Sequence, residues 1–350
     1  MRNTTNKALQ LLFNWIVIFN DINLKAIQWN LILEEITHFL VSVSIAALPL
    51  LYICFFFLNY YFKLFVAIYT IYMLLDPSPK RGGRSNYYCK TSAYWKYYAT
   101  YFNSKLIKTC DLNPDKKYIF GYHPHGLIGL GALCNFASNG TNFMDLFPNL
   151  SLKVATLPIN FYLPFYRDFF LLMGLIDCDK KSLNFVLNEL KQSVLIVVGG
   201  AKEAMISNPG KADLILNDRY GFIKLAIVNG ADLVPVYNFG ENHLYYIYEL
   251  NQNKILKWIQ TYLKTTYGFY LPLIQGRTPF TENWGFMPRR VQCTTIVGKP
   301  IKVKQEDEPS VETIKYYHEL YTNGLKEIYE EYKEQYPPEK DMPVPELKLY

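Results

Sequence analysis

KYIFGYHPHGLIGLG, residues 117–131, joins a short apolar segment to two histidines and a run of glycines. The apolar residues up to Tyr122 predict a buried β-strand, because short apolar runs that end in turn residues are typical of strands in α/β proteins. His123 and His125 follow directly, so both are expected at the carboxyl end of the strand, where α/β sheets present ligand sites. Histidine changes its charge near neutral pH. The stretch therefore predicts a strand that carries two imidazole groups to a functional edge of a sheet.

The chain after residue 110 alternates short apolar runs with helical patterns, which is typical of an α/β layer fold. The other predicted strands are 152–157, 194–200, 231–240 and 293–301. Residues 181–192 and 310–336 have helical spacing, and the second helix is expected to begin at a Ser310 cap and to stop at Pro337. From Pro337 onward the chain is rich in proline and charge, so we expect a loose tail.

Residues 39–75 form an apolar run with one formal charge, Lys63. The run is longer than the roughly 20 residues that one perpendicular span needs. Pro49 and the segment 59–63 are places where it can bend, so the pattern predicts two short helices that form a membrane hairpin, either crossing the bilayer or dipping into one leaflet. One long tilted span with an interfacial turn is the alternative. Residues 77–110 then contain seven Lys or Arg and no acid, which predicts that this side is cytoplasmic.

The composition also favours a membrane surface over nucleic acid as the partner. Aromatic residues make up 17% of the chain, and the net charge is only +6. Residues 94–108 mix aromatic and basic side chains, which predicts an interfacial helix, with an ordinary half-buried helix as the alternative. Residues 8–19 fit an interfacial stretch or a core helix equally well. The six cysteines contain no C-x-x-C pair, so we expect reduced thiols.

The chain is thus expected to have five parts. They are an N-terminal cytosolic or interfacial segment (1–38), the hairpin (39–75), a basic aromatic linker (76–110), a catalytic domain (111–336) and a C-terminal tail (337–350).

The histidine pair allows three interpretations from its residue types alone. It can be half of a metal site with His243 as a further ligand, a purely structural turn, or a general base with an orienting carboxylate. Glu203 is the candidate carboxylate, because it follows another predicted strand and the Gly199-Gly200 turn. A strand, a glycine turn and a helix start also leave backbone N–H groups free to bind an oxyanion or a phosphate.

Four stretches in this order resemble the type 2 diacylglycerol/monoacylglycerol acyltransferase family. They are YIFGYHPHGLIGLGALCNF, IVVGGAKEAM, RYGFIKLAIVNGADLVPVYNFGEN and WGFMPRR…TTIVGKPI. The resemblance implies a glycerolipid-acyltransferase-like mixed sheet with flanking helices, preceded by the membrane hairpin. It also implies a protein of the endoplasmic reticulum and lipid droplets that moves a fatty acyl group from acyl-CoA to a glyceride hydroxyl. The family's catalytic His-Pro-His-Gly block falls on His123, Pro124, His125 and Gly126.

The chemistry requires a base for direct acyl transfer, and we predict His125 in that role with His123 supporting the turn. His123 as the base is the alternative. Gly126 could offer an N–H to the oxyanion, as could the turn at Gly199 and Gly200. More distant acyltransferases use a His-x4-Asp motif, but apolar residues follow both histidines at that spacing, so Glu203 is predicted to hold the imidazole tautomer.

Six further residues are candidates for substrate binding: Arg167, Arg219, Lys224, Asn238, Glu241 and Asn242. The three cations could meet CoA phosphates or could be solvated, and the other three could line a pocket or close a turn. The favoured hypothesis needs no metal and no cofactor, with acyl-CoA as a co-substrate. Diacylglycerol, monoacylglycerol and a long-chain alcohol remain open as acceptors, homo-oligomers are possible, and a lipid-droplet-binding protein or a metal-dependent lipid hydrolase are the rivals.

Overall fold

A seven-stranded sheet organises the fold. The computed structural model describes residues 30–44, 47–248, 258, 261–262, 265, 273–281, 285–339 and 342–350. The strands in this part of the chain are β1 (Lys105–Lys108), β2 (Tyr118–His123), β3 (Leu152–Thr156), β4 (Leu175–Asp177), β5 (Ser193–Val197), β6 (Ala212–Leu214), β7 (Asp232–Phe239), β8 (Tyr246–Tyr248), β9 (Leu273–Gln275), β10 (Thr294–Val297) and β11 (Leu347–Leu349). The main sheet has the order β1-β10-β7-β2-β5-β3-β4.

Strand β2 occupies the middle of this sheet. It pairs in parallel with β5 on one side and with β7 on the other, and all six of its residues are buried. Strands β3 and β4 continue the parallel arrangement, whereas β10 runs antiparallel to β7. The expected mixed α/β sheet is therefore confirmed, and His123 lies at the centre of its carboxyl edge.

Helices lie between and around the strands in the described part of the chain. They are α1 (Asn30–Ser44), α2 (Ala47–Phe56), α3 (Tyr60–Leu75), α4 (Tyr87–Lys90), α5 (Tyr94–Tyr101), α6 (Leu130–Ala132), α7 (Phe143–Leu146), α8 (Tyr166–Leu172), α9 (Lys180–Asn184), α10 (Gly200–Ala204), α11 (Gly221–Asn229) and α12 (Val311–Tyr332). A wider π turn extends α6 to Ala137 and α9 to Glu189. Helix α12 begins at the predicted Ser310 cap, whose hydroxyl accepts the Thr313 N–H at 3.1 Å. It ends at Tyr332, before Pro337.

The alternation of β2 divides its side chains between two cores. Tyr118, Phe120 and Tyr122 belong to the apolar cluster on one face, and Ile119 belongs to the cluster on the other face. Tyr321 of α12 lies in that second cluster. Because side chains on a strand alternate between faces, Gly121 and His123 share the face of Ile119 and meet α12.

The apolar segment contains a helical hairpin. Helices α2 and α3 are joined by a turn at 57–59, close to the predicted bend, and Tyr52 Oη donates to the Val66 carbonyl at 2.7 Å across the pair. This turn rules out one straight helix. Pro49 lies in the first turn of α2, directly after the bend between α1 and α2, as predicted. Among the described residues, no single helix has both the length and the hydropathy of a membrane span, whereas α1 and α2, bent by 45°, reach them together.

Two expectations about local structure are wrong. Helix α5 ends at Tyr101 and is followed by strand β1, so 94–108 is not one helix, and the burial of its Trp95 and Tyr98 rings fits the half-buried alternative. The tail is not loose at its end, because β11 pairs in parallel with β6. The stretch 8–19 lies outside the described residues.

Candidate active site

His123 is completely buried at the end of β2. Its Nε2 lies 3.0 Å from the Tyr321 hydroxyl, which also donates to the Gly121 carbonyl at 3.0 Å. A Cβ at position 121 would lie 1.9 Å from that hydroxyl oxygen, so only glycine leaves room for the tyrosine. Burial lowers the pKa of His123 to about 3. His123 is therefore a neutral imidazole held by a residue of α12.

His125 is half-buried and has its ring nitrogen Nδ1 3.0 Å from the Gly126 carbonyl. A carbonyl can only accept a hydrogen bond, so Nδ1 carries the proton and Nε2 is bare. Burial, with a further contribution from the nearby Arg219 charge, lowers the pKa of His125. Gly126 has a φ of +57°, a left-handed conformation that glycine adopts without strain. The loop itself thus sets the tautomer of a neutral, base-competent imidazole.

Glu203 lies beside this loop and is completely buried. Its Oε1 accepts the backbone N–H of His125 at 2.5 Å, and its Oε2 accepts the N–H of Ile215 at 2.8 Å. Burial raises the pKa of Glu203 to about 7, against the opposing effect of these two amides. The prediction that Glu203 orients the imidazole ring is wrong, because its carboxyl group holds the backbone of His125 instead.

The Gly199-Gly200 turn makes room for this carboxyl group. A Cβ at Gly199 would lie 2.2 Å from Glu203 Cδ, and Gly200 has a φ of +65°. Arg219 is half-buried and donates from Nη2 to the Gly199 carbonyl at 2.8 Å. The predicted residues of the second strand end are therefore assembled around the backbone of the histidine loop.

A second buried carboxyl group supports the same loop from the β7 side. Glu241 Oε2 accepts hydrogen bonds from Tyr122 Oη at 2.8 Å, Asn238 Nδ2 at 2.7 Å and the Gly131 N–H at 2.9 Å. A Cβ at Gly126 would lie 2.5 Å from Glu241 Cγ. Burial raises the pKa of Glu241 to about 7. Asn238 and Glu241 thus lie beneath the glycine-rich loop and position it.

Asn242 and His243 are engaged elsewhere. Asn242 Nδ2 donates to the Lys211 carbonyl at 3.0 Å, and His243 Nε2 accepts the Gly210 N–H at 3.1 Å. In the part of the chain that the structure describes, no group of three or more His, Cys, Asp or Glu is arranged to hold a metal ion. His243 therefore does not complete a metal site with the histidine pair.

Two of the predicted phosphate-binding cations lie apart from this assembly. Arg167 is completely buried, with Nη2 2.7 Å from Asp76 Oδ2 and Nε donating to the Phe161 carbonyl. It joins α8 to the residue that ends α3, so it is not a surface cation. Lys224 is exposed on α11, and within the described residues no hydrogen bond or ion pair ties its ammonium group to the histidine loop.

The residues from the hairpin to the tail match one sequence family. Residues 54–345 match the family described as diacylglycerol acyltransferase. The chain belongs to the diacylglycerol acyltransferase family. It is therefore an acyltransferase, as the sequence resemblance predicts, and the described loops form the candidate active site of such an enzyme.

Named relatives match about three quarters of the chain. Diacylglycerol O-acyltransferase 2A of Umbelopsis ramanniana is 41% identical over 77% of this chain and 78% of its own length. The human 2-acylglycerol O-acyltransferase 3 is 40% identical over 77% of this chain and 80% of its own length. A solved 1-acyl-sn-glycerophosphate acyltransferase from Thermotoga maritima is similar over 85% of this chain and 97% of that chain, with a TM-score of 0.37 and 14% identity.

Two tyrosines of this candidate site were not predicted from the sequence. Tyr321 contacts His123 and Tyr122 contacts Glu241. The only sign of them in the sequence is the glycine that each tyrosine contacts. A Cβ at Gly121 would lie 1.9 Å from the Tyr321 hydroxyl oxygen, and a Cβ at Gly131 would lie 2.2 Å from that of Tyr122. Glycines within an apolar strand and at a helix start are a signal of close approach by a large neighbour.

Proposed function

We propose that the protein transfers a fatty acyl group from acyl-CoA to diacylglycerol by direct transfer, with His125 as the general base. The observation that carries this proposal is the bare Nε2 of His125, which results from the hydrogen bond between Nδ1 and the Gly126 carbonyl. His123 is the weaker candidate, because its ring is completely buried and its Nδ1, which has no hydrogen-bond partner among the described residues, is buried as well. Membership of the family supports the reaction class.

The reaction balances with His125, the acceptor hydroxyl and the acyl-CoA thioester alone. Nε2 of His125 takes the proton of the acceptor hydroxyl while the hydroxyl oxygen attacks the thioester carbonyl carbon. The C–O bond forms, the C–S bond then breaks, and the imidazolium returns the proton to the CoA thiolate. We assign the Gly126 amide, with Gly199 and Gly200 as the alternative turn, to the developing oxyanion. Arg219 is the predicted cation closest to this loop and our candidate for a CoA phosphate.

The second part of the proposal is the identity of the acyl acceptor, diacylglycerol. A relative named as a diacylglycerol acyltransferase and one named as a 2-acylglycerol acyltransferase match the chain almost equally, at 41% and 40% identity. Monoacylglycerol is therefore the second candidate. Detergent-purified protein should be assayed with labelled acyl-CoA against diacylglycerol, 2-monoacylglycerol and a long-chain alcohol. Turnover highest with diacylglycerol is expected, and turnover only with another acceptor would refute the choice.

The role of His125 as the general base is tested by comparing variants of both histidines with a control variant. His125→Ala should lower kcat roughly 10²–10⁴-fold while the unfolding midpoint stays near that of the parent. His318→Gln is the control. His318 lies on α12, and its Nε2 bonds the Leu216 carbonyl and not a residue of the histidine loop. Loss of turnover in His123→Ala with near-parental turnover in His125→Ala would reverse the assignment.

We further propose an endoplasmic reticulum or lipid-droplet membrane as the location, with the catalytic domain cytosolic and a homo-oligomer as an option. The support is the apolar outer face of α2 and α3, on which Leu50, Ile53, Ile68 and Ile71 are exposed. The sequons at Asn139 and Asn149 should then stay unglycosylated in cells. A glycosidase-sensitive mass shift at either asparagine would show that the domain is luminal.

A further inference from the structure

Strand β6 is paired with the C-terminal tail. It runs parallel to β11, and these two strands form a sheet of their own, separate from the main sheet. Two strands alone form a sheet of marginal stability. Among the described residues β6 has no other strand partner, so the backbone path of residues 212–217 depends on the tail.

The main chain of Tyr350 continues this pairing beyond β11. Its N–H donates to the Leu214 carbonyl at 2.8 Å. Its main-chain oxygen accepts the N–H groups of Leu216 and Asn217, both at 2.9 Å. Tyr350 therefore fixes the backbone on both sides of Ile215.

Ile215 connects this pairing to the histidine loop. In a paired strand, successive N–H groups point to opposite edges, and the Ile215 N–H donates away from the tail to Glu203 Oε2 at 2.8 Å. The other oxygen of the same carboxyl group accepts the His125 N–H at 2.5 Å. One buried carboxyl group thus ties the histidine loop to the residue that Tyr350 holds from both sides.

Arg219 depends on the same segment. Its N–H donates to the Leu216 carbonyl at 2.9 Å, and its Nη2 donates to the Gly199 carbonyl at 2.8 Å. A shift of residues 214–217 would therefore move the candidate cation for a CoA phosphate together with the acceptor side of the Glu203 contact.

The tail also lies near the histidine loop across a small cavity. Val344 and Pro345, which precede β11, line this cavity together with Pro124, the residue between the two histidines. Tyr329 of α12 lines it as well, and its hydroxyl donates to the Pro345 carbonyl. The tail is thus held against α12 beside the loop, in the position from which β11 reaches β6.

We propose that strand β11 and the main chain of Tyr350 position the histidine loop for acyl transfer, acting through Ile215 and Glu203. The inference deepens the proposed function, because it assumes that His125 is the base that must be positioned. Tyr350 is a positioning residue here and not a catalytic one. Since a displacement of about 1 Å can cost 10²-fold in rate, release of the tail should lower kcat roughly 10–100-fold.

The test compares matched variants of the full-length protein. Tyr350→Pro removes the N–H that donates to the Leu214 carbonyl, because proline has no N–H, whereas Tyr350→Ala keeps it and is the control. Leu347→Asn/Leu349→Asn should release the whole strand, since both leucines pack against the second apolar cluster. Its control is Lys348→Asn, because Lys348 is exposed between them. Unfolding midpoints show which variants are folded at the assay temperature.

Two properties are measured on the folded variants. They are steady-state kinetics of acyl transfer and hydrogen exchange of the peptides that contain Ile215 and His125. Tyr350→Pro and the leucine double variant should lose kcat roughly 10–100-fold with little change in KM for the acyl acceptor, and both peptides should exchange faster. The two controls should resemble the parent in both measurements.

The exchange measurement separates this inference from the proposed function. Exchange reports the position of the loop whether or not His125 is the base, so a loss of His125→Ala effects on turnover would count against the proposed base alone. The inference is wrong if both folded variants keep parental turnover. It is also wrong if turnover falls while the peptide that contains His125 keeps its parental exchange rate.

Discussion

A methyl group at Gly199 tests whether the Glu203 carboxyl group fixes the histidine loop that carries the proposed base. In Gly199→Ala the new Cβ would lie 2.2 Å from both Glu203 Cδ and Oε2, far inside an ordinary contact. Gly199 has a φ of −60° and ψ of −36°, which alanine adopts freely. The backbone is thus compatible with alanine, and any effect must come from displacement of the carboxyl group.

The expected size of the effect follows from the two hydrogen bonds that Gly199→Ala would break. Displacing Glu203 leaves the buried N–H groups of His125 and Ile215 without their acceptor, and an unsatisfied buried donor costs about 1–3 kcal/mol. The loop can recover part of this free energy if its backbone shifts to find other acceptors. Such a shift moves His125. Since a displacement of about 1 Å can cost 10²-fold in rate, we expect kcat to fall roughly 10²-fold and the unfolding midpoint to fall by several degrees.

The assay is labelled acyl transfer by the purified protein at saturating substrates. Gly221→Ala is the matched control, because a Cβ there meets nothing within 4 Å. Glu203→Asp in the Gly199→Ala background shortens the acid by one methylene, so it should recover part of the lost turnover. Turnover of Gly199→Ala within threefold of the parent would refute the argument, since that is under about 1 kcal/mol of barrier.

Three further outcomes follow from the same geometry. Tyr321→Phe removes the partner of His123 Nε2 and should lower kcat about tenfold with little change in KM, which steady-state kinetics will check. Burial raises the folded-state pKa values of Glu203 and Glu241 to about 7, so their contribution to stability is complete below pH 4.5 and is lost as the pH rises through 7. The unfolding midpoint should fall from pH 5 to pH 8, and less so in Glu241→Gln. Arg167→Gln removes the buried guanidinium that donates to Asp76 and to the Phe161 carbonyl, while Arg84 still pairs with Asp76, so it should cost about 1–3 kcal/mol, read as faster proteolysis at the base of the hairpin, and a parental cleavage rate would contradict it.

Local signals predicted the framework well. The strand at 117–122, its position before the histidines, and the Ser310 cap of α12 were all predictable, because each depends on neighbouring residues. Strands β4, β6 and β8 were missed, since each has only three residues and three residues give no clear periodicity. Strand β11 was missed because its pairing with β6 joins segments that are far apart in sequence.

Side-chain partners were less predictable than side-chain positions. Glu203 was expected near the histidine loop because it follows another predicted strand and the Gly199-Gly200 turn, and it does lie there. Which atom it would meet depends on the path of the loop backbone, and no sequence spacing encodes that path. Arg167 was misassigned for a similar reason, since its partner Asp76 is 91 residues away and is brought close only by the packing of α3 on α8.

The two buried carboxyl groups explain how a glycine-rich loop can hold the proposed base, His125, in position. Strand β2 lies between β5 and β7, and each neighbour is followed by one acid, Glu203 after β5 and Glu241 after β7. Glu203 binds the amide of His125, and Glu241 binds the amide of Gly131 at the other end of the loop. Loop amides at a sheet edge have no ladder partner, so a buried carboxyl group on each side satisfies them. The imidazole ring can then be oriented by the loop's own Gly126 carbonyl, which makes a separate orienting aspartate unnecessary.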